Sequence, residues 1–136
     1  MKFSNLIFAL LIGFTMACGN KIDGEIEKLN TVLMKGHDEV MPKTMAIADI
    51  KKDLMAASEK ATEADKAVAL KLSTDMQKAE DDMYEWMKNF GEAMNDVKDK
   101  NEKLKLYTEL EVEVKKLTTD TETAIAAAKK FTEEHK

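Results

Sequence analysis

Cys18, His37 and a set of methionines are the residues of this chain whose types and spacing could do chemistry. Cys18 is the only cysteine among 136 residues. It stands directly after Thr15-Met16-Ala17, and these follow the apolar run Leu6–Phe14. A short positive start, Met1-Lys2, precedes the run. The run has the length of a secretory h-region and is too short to span a bilayer. Small residues before a cysteine admit the chain to a processing peptidase and leave the thiol as an acylation site. The second group is Met34, His37, Met41 and Met45, at steps of three, four and four. Met83, Trp86 and Met87 follow in a second cluster. Thioether sulfur and imidazole together suit a soft cation such as Cu(I), and an indole face attracts a cation.

Helices must position these groups. Apolar residues recur at steps of three and four in three stretches. The first carries Ile22, Ile26, Leu29, Leu33, Val40, Ile47 and Leu54. The second carries Leu72, Met76, Ala79, Met83, Met87, Phe90, Met94 and Val97. The third carries Tyr107, Leu110, Val114, Leu117, Ala124, Ala128 and Phe131, with Thr121 on the same seam where an apolar residue is expected. The breaks fall at Ser58–Asp65, where Thr62 and Asp65 form a capping pair, and at Asp99–Glu102. Short connections force antiparallel neighbours. The chain is therefore expected to be all-α, an elongated, coiled-coil-like, antiparallel three-helix bundle. Each helix of roughly 35 residues is about 50 Å long. Pairing of two chains into a larger homo-oligomeric bundle is the alternative architecture. Pro42 either kinks the first helix near Asp38 or opens a new helix after an end near Gly36; the kink is the preferred reading. The expected organisation is a leader at 1–17, a lipidated tether at 18–23, and the bundle at 24–136.

On one helix Met34, His37, Met41 and Met45 lie within roughly 80° of each other. A turn near residues 60–62 sets His37 level with residues 83–86. A second turn near residue 101 brings residues 116–119 to that level. His37, Met41, Met83, Trp86 and the Thr118–Thr121 run are thus expected to share one layer. Core packing is the first reading of this cluster, because methionine fills irregular gaps and Thr118 or Thr121 could satisfy the imidazole. The alternative is a Cu(I) site drawing on His37, Met41, Met45, Met83, Trp86 and Met87. A haem held non-covalently by His37 and a methionine is a further variant.

Composition narrows the partners. The chain carries a formal charge of −5, and removal of Lys2 with the leader makes it −6. Its 21 basic residues are all lysine, so no guanidinium is available to clamp phosphates. An acidic chain is a poor match for nucleic acid. No resident cofactor, nucleophile–base pair or glycine-rich phosphate loop is apparent, and no catalytic residue is expected. Asp81-Asp82 and Glu133-Glu134 read as solvated faces.

The segment ending at Cys18 resembles the lipobox of bacterial lipoproteins. An ordinary secretory signal cut near Ala17 is the other reading. The run His37-Asp38-Glu39-Val40-Met41-Pro42-Lys43, with Trp86-Met87-Lys88-Asn89-Phe90 farther on, resembles a group of small Bacteroidota lipoproteins often labelled "viral A-type inclusion protein". That resemblance implies a lipid anchor, a helical bundle and the pairing of the two motifs, and it implies no established function. Together these features lead us to expect a protein tethered to the cell envelope through acyl chains such as palmitate on Cys18. An outer membrane is the expected site, on its periplasmic or surface face. The expected role is non-enzymatic: an interaction or structural module for a protein partner, with soft-metal binding as the alternative.

Overall fold

The computed structural model describes residues 17–136. The expected leader lies outside the described residues except for Ala17, and so does the Cys18 side chain. Three helices make the fold: α1 Ala17–Ser58, α2 Glu63–Asn95 and α3 Lys100–Glu134. No strand occurs among the described residues. The segment expected to be a tether, residues 18–23, is helical and continuous with α1. Its amphipathic pattern explains this: Ile22 already turns partly inward, and Asp23 pairs with Lys100 at 2.7 Å. The helix also runs unbroken through Gly36 and Pro42, so no new helix opens at Pro42.

Both breaks are set by local chemistry. Thr62 has extended backbone and accepts from the Asp65 amide at 3.2 Å, while its hydroxyl donates to the Asp65 carboxylate at 2.7 Å. Asp99 caps α3 by accepting from the Glu102 amide at 2.9 Å. Such caps satisfy amides that have no intrahelical partner. Lysines serve the opposite end of α2: Lys98 donates to the Asn95 carbonyl and Lys103 to that of Met94. Along the outer faces, pairs such as Lys71–Asp75 and Lys115–Glu111 bridge successive turns at 2.6 Å each. Each exposed pair of this kind adds only about 0.3–0.5 kcal/mol, so the apolar faces drive assembly.

Cross-helix contacts fix the topology. Asp23 meets Lys100, the Tyr107 hydroxyl donates to the Asn30 amide oxygen at 3.5 Å, and Lys43 meets Glu122 at 2.5 Å. The near-constant sequence offset means that α1 and α3 run parallel. α2 returns between them: Lys51 donates to Gln77, Trp86 reaches Leu110, and His135 lies 3.6 Å from Asp65. The result is the up-down-up bundle. Its core has two parts. One, the upper core, gathers Leu33, Val40, Met83, Trp86, Phe90 and Tyr107 among others; the second gathers Ile47, Leu54, Met76, Ala79, Ala128 and Phe131. Each fully buried large apolar side chain contributes about 1.5–3 kcal/mol. Between the parts, in matching register, lie two buried threonines, Thr44 and Thr121.

At Gly36 a side chain of α3 lies directly against the α1 backbone. A Cβ added there would sit 2.7 Å and 2.9 Å from the two γ-carbons of Val114. Valine in a helix has essentially one rotamer, so it cannot swing aside. Two predictions follow from these contacts. Gly36→Ala should lower stability by about 1–3 kcal/mol through overpacking, despite a gain in helix propensity of roughly 1 kcal/mol. In a Val114→Ala background the same change should be neutral or stabilising; a cycle of denaturant melts distinguishes the two. The second concerns Asp65, whose carboxyl is held below its ordinary pKa, first by the Thr62 hydroxyl and also by His135. A depressed carboxylate stabilises the fold above its ordinary pKa, and this contribution is lost as pH falls through the depressed value. Thr62→Ala should move the Asp65 pKa, followed by NMR, back up toward the ordinary aspartate range and flatten the acid limb of stability.

Candidate functional site

The expected cluster separates into an inner and an outer set. Met83 and Trp86 belong to the inner one. Both are buried in the upper core, Met83 completely. The Trp86 indole N–H donates to the Leu110 carbonyl of α3 at 3.0 Å. Its ring centroid lies 5.3 Å from that of Phe90, which in turn meets Tyr107 edge-on at 5.7 Å. Trp86 is thus committed to α3 and to an aromatic chain across the core. These two residues behave as packing, and neither joins a set with His37.

The outer set belongs to α1 and α2, whose seam is the most sparsely packed of the three helix pairs. Met41 and Met87 are half-buried and rest against the upper core from its outer side. Met34 is 43% exposed and Met94 likewise 43%. Tyr84 is also exposed, and so is Met55 one further stretch along α1. Met45 is 70% exposed, with its side chain largely in solvent. Of the eight methionines after Cys18, only Met76 and Met83 are fully buried. Core packing therefore accounts for two of them and leaves six wholly or partly at the surface. An exposed thioether gains little from the hydrophobic effect.

His37 does not reach Thr118 or Thr121 as expected. Its Nδ1 lies 3.0 Å from an Asp38 carboxylate oxygen. Thr118 donates instead to the Val114 carbonyl, and Thr44 to that of Val40. The physical reason is the register. The parallel offset between α1 and α3 sets Thr121 level with residues 43 and 44, nearly two turns beyond His37. Nε2 of His37 has no hydrogen-bond partner among the described residues. Among the described residues no three His, Cys, Asp or Glu side chains gather as a metal site. The donor set of this seam is thus thioether and imidazole.

A different surface lies between α2 and α3. A groove of about 260 Å³ there is lined by Asp82, Glu85, Glu113 and Asp120 together with Asn89 and Lys116, with Trp86 and Leu117 at its floor. Lys78 stands nearby, held above the ordinary lysine pKa first by its bond to Asp82, then by the charges of Asp82, Asp120 and Glu85. This face is acidic on balance, with Asp82 and Asp120 paired to Lys78 and Lys116 and Glu85 and Glu113 in excess. Sequence reasoning had read Asp81-Asp82 only as a solvated face. The signal that would have found the groove is the approach of Asp82 to Asp120 across the α2–α3 hairpin.

Thr121 stays without a partner: its hydroxyl is wholly buried and makes no hydrogen bond. Burying such a group costs about 1–3 kcal/mol. Thr121→Val, of the same shape, is therefore expected to raise stability by about that amount in urea melts. A loss of stability would show that the hydroxyl is satisfied in solution. No protein-family model, curated protein or solved structure matches this chain.

Proposed function

We propose that the protein is a bacterial lipoprotein held to a membrane of the cell envelope through acylated Cys18. We further propose that its bundle is a non-enzymatic interaction or structural module. One observation carries the reading: every described residue from Ala17 to Ser58 is helical, so α1 runs without interruption from the position of Cys18. An acylated Cys18 would then sit in the first turn of the longest helix, with no flexible spacer. The 42 residues of that helix span about 60 Å at 1.5 Å each. The rod would lift the α1–α2 connection and the C terminus to its far end, away from the bilayer. No helix of the described residues is long and apolar enough to cross a membrane, and two or three acyl chains on Cys18 would supply the anchor.

The acidic α2/α3 face gives such a rod something to present. Its aspartates and glutamates suit a protein partner bearing lysine or arginine, and they repel a phosphate backbone. The resemblance of the His37–Lys43 and Trp86–Phe90 runs to small Bacteroidota lipoproteins favours the same location, an outer membrane with the domain on its periplasmic or surface side.

The test is expression with the native leader in a bacterial host fed an alkyne-tagged palmitate. The mature chain should begin at Cys18, carry the label and sediment with membranes. Cys18→Ala should abolish label and sedimentation together. A mature wild-type chain with an unmodified thiol in the soluble fraction would contradict the proposal.

A further inference from the structure

We propose that Met34, His37 and Met41 form a site for one Cu(I) ion on the exposed seam of α1, with Met87 of α2 as a further donor. The ligand set differs from the one that spacing alone suggests. Met83 and Trp86 are removed by burial in the core, and Met45 by its 70% exposure, which leaves its sulfur largely in solvent. Met34 takes their place.

Four observations support the site. The three α1 donors stand at i, i+3 and i+7, within about 60° of arc and about 4.5 and 6 Å apart along the axis. Thioether and imidazole arms cover those gaps. The His37 ring is held by a carboxylate on Nδ1, at 3.0 Å from Asp38. Metal-binding imidazoles are oriented in this way, with the other nitrogen left for the metal. Burial grades inward: Met34 is 43% exposed, His37 and Met41 are half-buried, and Met87 rests against the core opposite. A cation would enter from solvent and meet sulfur on the inner side. Finally, the donors are soft or borderline throughout, which selects Cu(I) over Zn(II) or Ca(II). Packing explains Met76 and Met83 fully and Met41 and Met87 in part, and it gives no reason for Met34 at the surface beside them.

The test uses the full chain in detergent, with Cys18→Ala in every sample so that no thiol competes. Cu(I) is titrated anaerobically against a chromogenic chelator. One Cu(I) per chain is expected. His37→Ala should abolish this binding with helical content and melting temperature unchanged. Asp38→Asn, which removes only the carboxylate behind the ring, should weaken binding about ten- to a hundredfold. Met45→Ala and His135→Ala should bind as the parent does. In a second measurement, Ag(I) is added to protein carrying ¹³C-methyl methionine. The methyl signals of Met34, Met41 and Met87 should move, and those of Met76 and Met83 should stay. The proposal is overturned if the chelator retains the copper, if His37→Ala binds as tightly as the parent, or if silver moves all the methionine signals alike.

Discussion

The close approach of α1 to α3 at Gly36 and Val114 is the contact on which the rest of the architecture depends. Two parallel helices pack this tightly only where one side chain is absent. Once Gly36 is seated, the register of the pair is set over its whole length. The ion pair at Asp23 and Lys100 and that at Lys43 and Glu122 fall on the same offset. A slip of one residue would turn Val114 away from Gly36 and carry Thr121 off the core seam.

That tight pair leaves the third helix unequally shared. α2 gives its aromatic and methionine face to the upper core, where Trp86 is tied to the α3 backbone. Its seam with α1 is left looser, and the outer methionines belong to these two helices. The two buried threonines occupy the level between the core clusters. Thr44 satisfies itself within its own helix, while Thr121 does not. A polar layer of this kind costs stability, and polar residues in a helical seam are known to fix register. Here the layer lies about two turns beyond the level set by Gly36 and Val114.

Much of the fold was legible in the sequence. Steps of three and four marked the core positions of α3 without error, from Tyr107 to Phe131. Thr62 and Asp99 announced both helix starts through known capping chemistry. Residues 18–23 were misread as a tether because Gly19, Asn20 and Gly24 weaken helix propensity; burial of Ile22 and the Asp23 pair outweigh it. Gly36 read as a possible helix end, whereas its role is to admit a neighbour, which only tertiary contact reveals. For the candidate site, periodicity grouped the methionines correctly by helix. It could not separate the inner from the outer ones, because Met83 and Met87 lie one turn apart on the same side of α2 and differ only in which neighbour they meet. The level of His37 on α3 was read to within a turn, residue 115 in place of 116–119, which leaves Thr121 out of reach. The expected level was set by where the turns fall, whereas the offset of α1 against α3 is set by side-chain fit.

The claim that most of the methionines lie wholly or partly at the surface while two fill the core is open to one direct measurement. Native protein is exposed to dilute peroxide, and sulfoxide formation at each methionine is timed by peptide mass spectrometry. Oxidation follows solvent access of the sulfur. Met45, Met34, Met55 and Met94 should oxidise fastest and Met41 and Met87 more slowly. Met76 and Met83 should resist until the bundle is unfolded. Native-state oxidation of Met76 or Met83 at the rate of Met45 would contradict the account.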